Sequence, residues 1–140
     1  MQGMKISDFM SRHPVAFTPN ESIESAVERL LQTQQRGGPV LDEHRKVIGF
    51  LSEQDCLAAM LRDTYHKEQT ATVSDCMYRG EVLCVGADEA IADLAQRMEI
   101  GKPKIYPVID MDTKQLVGVI SRTDVLGAID SYFQDSYRRR

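Results

Sequence analysis

A chain of 140 residues with 42% apolar and 27% charged side chains has the composition of a folded globular protein, long enough for one domain or two small halves sharing a core. Its formal charge of −4 excludes the broad basic field of a nonspecific nucleic-acid binder and leaves room only for a local basic pocket. No apolar run approaches the roughly 18 residues of a membrane span.

Taken in order, Val15-Ala16-Phe17 reads as a short strand, followed by turn and cap residues at Pro19-Asn20-Glu21-Ser22. Ile23, Ala26, Val27, Leu30 and Leu31 then fall on one face of an amphipathic helix, expected to end near Gly37-Gly38. Pro39-Val40-Leu41 and Val47-Ile48-Gly49-Phe50-Leu51 read as strands joined by a polar hairpin loop, Asp42 to Lys46. A second helix begins near Ser52, with Leu57, Met60 and Leu61 expected on its buried face.

The scheme then recurs. Ile6-Ser7-Asp8-Phe9-Met10 is answered by Val73-Ser74-Asp75-Cys76-Met77, with Asp75 lying 67 residues after Asp8. Pro39-Val40-Leu41-Asp42 returns 68 residues later as Pro107-Val108-Ile109-Asp110, and Gly49-Phe50-Leu51-Ser52 returns 69 later as Gly118-Val119-Ile120-Ser121. Two single-residue insertions in turns reconcile these spacings. In the second copy Ile91, Leu94, Ala95 and Met98 line the first helix, and Leu126, Ile129 and Phe133 are expected to line the last. The expected fold is therefore α+β, made of two β-α-β-β-α repeats over residues 6–65 and 72–132. Residues 66–71 would be a linker and 133–140 a C-terminal tail. Halves of this kind would pack as a pseudo-twofold pair with two equivalent clefts.

The sharpest signal is the frame Gly49-Phe50-Leu51-Ser52-Glu53-Gln54-Asp55, repeated as Gly118-Val119-Ile120-Ser121-Arg122-Thr123-Asp124. Ser-x-x-Asp at a strand-to-helix junction is close to a capping box. It also suits a nucleotide, since a helix N-terminus and a hydroxyl can hold phosphate while a carboxylate one turn on accepts from ribose hydroxyls. Capping does not call for a glycine three residues upstream, so recurrence of the whole frame favours the nucleotide, and the two roles are compatible.

From about Ile6 to Ile129 the chain resembles a tandem pair of cystathionine-β-synthase-type (CBS) domains, or Bateman module. The resemblance rests on Ser7-Asp8-Phe9-Met10 and Ser74-Asp75-Cys76-Met77, the Pro-Val strands ending at Asp42 and Asp110, and the paired Gly-h-h-Ser-x-x-Asp frames. It implies a non-catalytic regulatory module that binds AMP, ADP, ATP or S-adenosylmethionine, often as a homodimer. It leaves open a ligand-free structural or protein-interaction module. By the same resemblance one site joins Ser121 and Asp124 to His13, Pro14 and Val15, and the other joins Ser52 and Asp55 to Gly80, Glu81, Val82 and Leu83. Lys104 and Arg36 stand where the family places a basic residue toward phosphate.

Charge separates the two. By the resemblance Asp124 gathers Arg122, Lys104 and His13, whereas Asp55 gathers Arg36 together with Glu53 and Glu81, which disfavour phosphate. Gly37-Gly38, in place of the family's bulky residue before Pro39, is expected to add backbone freedom at the Asp55 site. The Asp124 site is therefore preferred.

His13, His44 and His66 are scattered, with no metal-ligand spacing, and His44 reads as a hairpin residue. Three cysteines without C-x-x-C spacing specify neither a disulfide framework nor a zinc site, and Cys56 and Cys84 read as small buried hydrophobes. No phosphate loop, zinc-protease helix or nucleophile elbow is present, so no catalyst and no catalytic cofactor are expected. With no h-region after Met1, the expectation is a soluble cytoplasmic protein that binds neither membrane nor nucleic acid. Its partners would be an adenine nucleotide, a second copy of itself through Tyr132, Phe133 and Tyr137, and a regulated protein.

Overall fold

The computed structural model describes residues 1, 3–66 and 71–138, with the side chains of 63–66 and 138 excepted. Its described elements form two compact units, Pro14–Val82 and Met1–His13 with Leu83–Arg140.

In the Pro14–Val82 unit, Ser22 caps helix α1 (Ile23–Thr33) by accepting from the Ser25 N–H at 3.1 Å. Ile23, Ala26 and Leu30 form its buried stripe, and Leu31, one position round the helix from Leu30, is 71% exposed against expectation. The helix stops earlier than expected because Gln34 adopts the left-handed conformation (φ 57°) and its N–H closes on the Leu30 and Leu31 carbonyls. Gly37-Gly38 are therefore no helix stop. They open strand β1 (Gly37–Leu41), which pairs antiparallel with β2 (Val47–Ser52), Gly37 facing Ser52. A Cβ on Gly38 would overlap the Val15 carbonyl, so glycine here serves close approach of the 15–17 segment rather than backbone freedom. That segment, expected as a strand, makes one parallel bridge, Phe17 to Val40. Helix α2 (Glu53–His66) follows β2 directly, and the short α3 (Val73–Cys76) is capped by Thr72, whose N–H donates to Asp75 at 2.9 Å.

The other unit repeats the plan. β3 (Val85–Gly86) runs parallel to β4 (Ile105–Ile109), which pairs antiparallel with β5 (Leu116–Ser121) in the order β3-β4-β5. Helix α4 (Ile91–Arg97) and the long α5 (Arg122–Arg138) complete it, α5 continuing through most of the segment expected as tail. The expected linker falls largely on residues 67–70, outside the described residues.

Each opening Ser-Asp segment is built into the unit that carries the other repeat's strands. The Ile6 N–H donates to Glu89 O at 2.9 Å, and Ser11 and Val119 exchange bonds of 2.8 and 3.0 Å. In the Pro14–Val82 unit, Tyr78 and Phe50 exchange bonds of 2.8 and 3.2 Å. Accordingly Ile6 and Met10 lie in one core with Ile91, Leu94, Val108 and Ile120, and Val73 lies in the other with Phe17, Ile23, Val40 and Leu51. Full burial of each such aliphatic side chain contributes about 1.5–3 kcal/mol.

The buried faces of α2 and α5 differ from expectation. Cys56 and Ala59 of α2, and Val125 and Ala128 of α5, are the residues that enter the cores. Leu57, Met60 and Leu61 are 56%, 38% and 54% exposed, and Leu126 and Phe133 are 70% and 50% exposed; Ile129 is half-buried. Small side chains let these helices sit close on their sheets, which turns the larger neighbours, about 100° round the helix, outward.

Candidate functional site: two strand-to-helix corners

β2 ends at Ser52 and α2 starts at Glu53, while β5 ends at Ser121 and α5 starts at Arg122. At the first corner Ser52 Oγ accepts from the Asp55 N–H at 3.1 Å, and Asp55 Oδ2 accepts from the Ser52 N–H at 3.0 Å. At the second, Ser121 Oγ accepts from the Asp124 N–H at 3.1 Å and Asp124 Oδ2 from the Ser121 N–H at 2.9 Å. Both frames are thus reciprocal capping boxes. All four side chains are half-buried. Capping engages one carboxylate oxygen and one hydroxyl lone pair, so a carboxylate with up to four acceptor directions and a hydroxyl proton remain chemically able to meet a ligand.

The backbones of the two basic residues reach the same corners. Arg36 O accepts from the Glu53 N–H at 3.0 Å, and Lys104 O accepts from the Arg122 N–H at 2.9 Å. With the Asp55 and Asp124 N–H groups on serine hydroxyls, two first-turn donors of each helix already have protein acceptors. Phosphate recognition at these corners therefore falls more to side chains than to bare helix N–H groups.

The recurrent glycine has a structural cause as well. A Cβ on Gly49 would lie 2.7 Å from Met77 Sδ and 2.8 Å from the Tyr78 carbonyl oxygen, and one on Gly118 would lie 2.9 Å from Met10 Sδ. Glycine lets the Met-containing opening segment pair with the strand, so its recurrence does not by itself argue for a nucleotide. Asp42 and Asp110 are likewise explained: each accepts two hairpin N–H groups, His44 and Lys46 at 2.8 and 2.9 Å, and Asp112 and Thr113 at 2.8 and 3.0 Å. Those bonds, from Lys46 and Thr113 first, hold both carboxyls below their ordinary pKa. The Thr72 backbone N–H does the same to Asp75.

Of the expected site residues, His13, Lys104, Ser121, Arg122 and Asp124 belong to one unit, and Pro14 and Val15 to the other. Arg36, Ser52, Asp55, Gly80, Glu81 and Val82 lie together in the Pro14–Val82 unit, with Leu83 in its neighbour. His13, Lys104 and Arg122 are exposed, as are Arg36, Glu53 and Glu81. Cys56 is buried and its thiol is pushed up to about 11, by burial first and then by Asp55; burial also raises Cys84, which is only half-buried.

Two features escaped the sequence reading. Glu21 pairs with Arg29 at 2.9 Å, and Glu89 pairs with Arg97 at 3.1 Å, each residue 68 positions after its counterpart. Arg29 also donates to Ala16 O at 2.7 Å and lies 5.1 Å from the Phe17 ring centroid, tying α1 to the 15–17 segment. The matching spacing was the available signal. The second feature is the Phe50–Tyr78 pair beside Ser52.

Two units of mixed helix and strand, each ending a strand on a serine and opening a helix that an aspartate caps, define a tandem-repeat module. The CBS domain family model matches residues 6–62 and 73–131, and the chain belongs to that family as a tandem pair. It is similar to CBSX2 of Arabidopsis thaliana, solved in complex with AMP: 25% identity, TM-score 0.78, covering 93% of this chain and 98% of that one. The CBS domain pair of protein MJ0100, solved with 5′-methylthioadenosine and S-adenosyl-L-methionine, is also 25% identical, with TM-score 0.74 over 90% of this chain and 99% of that one. L-aspartate semialdehyde sulfurtransferase of Methanocaldococcus jannaschii is 26% identical over 120 residues, 86% of this chain but 22% of the enzyme. The chain thus spans well under two thirds of the length of such curated relatives.

Proposed function

We propose that this chain is a non-catalytic regulatory module of the cytoplasm that binds an adenine nucleotide, AMP, ADP or ATP, or S-adenosylmethionine, and acts on a separate regulated protein. The observation that carries the reading is the pair of Ser-x-x-Asp corners, each with a half-buried hydroxyl and carboxylate at a helix start. It is supported by the similar pairs that hold AMP and S-adenosyl-L-methionine. The Asp124 corner is the preferred phosphate site, with Ser121, Arg122, Lys104 and His13, and Pro14 and Val15 next in the chain. Ribose hydroxyls would donate to Asp124, and the cations would meet phosphate. Ligand binding regulates by differing in affinity for two arrangements of the protein. Calorimetric titration with AMP, ADP, ATP and S-adenosylmethionine tests this: saturable binding of at least one is expected, and none at millimolar ligand would refute it.

A second reading, an interaction module, is favoured by the apolar residues left outside on α2 and α5: Leu57, Met60 and Leu61, and Leu126, Phe133 and Tyr137. Their simplest cover is a second copy of the chain. Light scattering should then give about twice the 15.8 kDa formula mass. A monomer at high micromolar concentration would refute the homodimer.

A further inference from the structure

The two corners differ in more than charge, and the difference lies on one sheet face. Along β2, Gly49 and Leu51 are buried while Phe50 and Ser52 are half-buried, as strand alternation requires. Phe50 and Tyr78 exchange both backbone bonds, so they stand directly opposite and send their side chains to the same side, the side of Ser52. Gly37 faces Ser52 across the sheet, and a Cβ there would meet Phe50 Cε1 at 2.9 Å, which places that ring over Gly37. A Cβ on Gly80 would overlap the Tyr78 ring, which is itself 55% exposed. The Phe50 ring therefore adjoins the Asp55 corner, and the Tyr78 ring flanks Phe50 on its Gly80 side.

At the matching places of the other unit, Val119 pairs with Ser11, and Ile105 stands opposite Ser121. The acidic Glu53 is matched by Arg122, each the first residue of its helix. Glu81, three residues after Tyr78 and in the same unit as Asp55, is exposed. One corner offers π faces and added carboxylates, and the other offers aliphatic and small residues with added cations. A dianionic phosphate is repelled by the first set and held by the second. A purine stacks on ring faces, and a sulfonium is drawn to both the rings and the carboxylates.

We propose that the Asp55 corner takes an adenosine derivative whose 5′ substituent is uncharged or cationic, while the Asp124 corner takes the phosphorylated nucleotide. The inference rests on the reading that these corners bind adenine ligands, and it assigns Phe50 and Tyr78 as the residues that set the class of ligand.

The test titrates the full chain with AMP, 5′-methylthioadenosine and S-adenosylmethionine. Native protein should bind all three. Phe50→Val combined with Tyr78→Ser, which imports the other unit's residues, should weaken methylthioadenosine and S-adenosylmethionine at least tenfold and leave AMP within about twofold. Glu53→Arg, which keeps the rings and so guards against a folding defect, should weaken S-adenosylmethionine and strengthen AMP in an Asp124→Ala background. An equal loss of AMP and S-adenosylmethionine in the double variant would overturn the inference. So would native binding of AMP without either of the others. Binding of none of the three by folded native protein would instead refute the nucleotide reading itself, and this inference with it.

Discussion

Replacing Asp124 or Asp55 by alanine removes the same structural interaction from each corner and, on the proposed reading, a different functional one. In each case a carboxylate accepting a half-buried serine N–H is lost, at 2.9 Å for Ser121 and 3.0 Å for Ser52. Loss of such a cap bond costs about 1 kcal/mol. For a chain of this size that lowers the thermal midpoint by roughly 3 °C. The geometries match, so the two costs should agree within about 0.5 kcal/mol. AMP affinity should not. Asp124→Ala should lose at least about tenfold, or 1.4 kcal/mol, whereas Asp55→Ala should lose less than about threefold. Asp124→Asn keeps an oxygen for the Ser121 N–H, so it should regain most of the stability while still binding AMP weakly. Urea unfolding and calorimetric titration measure both quantities on the same samples. Equal AMP losses would refute the charge argument, and a greater loss from Asp55→Ala would reverse the site assignment. Stability costs more than about 1 kcal/mol apart would refute the equivalence of the two caps.

Arg29→Met should destabilise by about 2 kcal/mol, since it strips the Glu21 pair, the Ala16 carbonyl bond and the Phe17 contact at once. Arg97→Met should cost under about 1 kcal/mol, because its ion pair is 49% and 41% exposed; urea midpoints showing the reverse order would contradict this. Asp42, Asp75 and Asp110 have folded pKa values depressed below 3.8, so their stabilisation is present above that value and is lost as pH falls through the folded values. Denaturation midpoints should stay level down to about pH 4 and drop below it, with a smaller acid drop in Asp42→Asn; an unchanged drop would remove Asp42 from the account. Cys56, buried with a pKa near 11, should resist iodoacetamide at pH 7.5 in the native state and react once unfolded. Modification of Cys56 at the rate of a free thiol would contradict its burial.

Much of the fold is legible in the sequence because the chain states it twice. The spacing of Asp8 to Asp75, Pro39 to Pro107 and Gly49 to Gly118 locates the hairpins and both strand-to-helix corners without any structure. Where the reading failed, two physical explanations competed for the same residues. Leu57, Met60 and Leu61 are expected on the buried face of the second helix, yet close approach of α2 favours Cys56 and Ala59. Gly37-Gly38 carried a helix-stop signal, but the helix closes on Gln34 and the glycines admit the backbone at Val15 and the ring of Phe50. Ser-x-x-Asp was readable as a cap or as a ligand site, and the bonds at both corners establish the cap while leaving acceptor capacity for a ligand. The Phe50–Tyr78 pair was out of reach of local patterns because its partners are joined only through the sheet.

The most direct test of nucleotide recognition is a crystal structure of the chain grown with saturating AMP. Ribose hydroxyls should donate to the Asp124 carboxylate, with the phosphate against Arg122 and Lys104. AMP seated at the Asp55 corner alone, or absent from both corners, would contradict it.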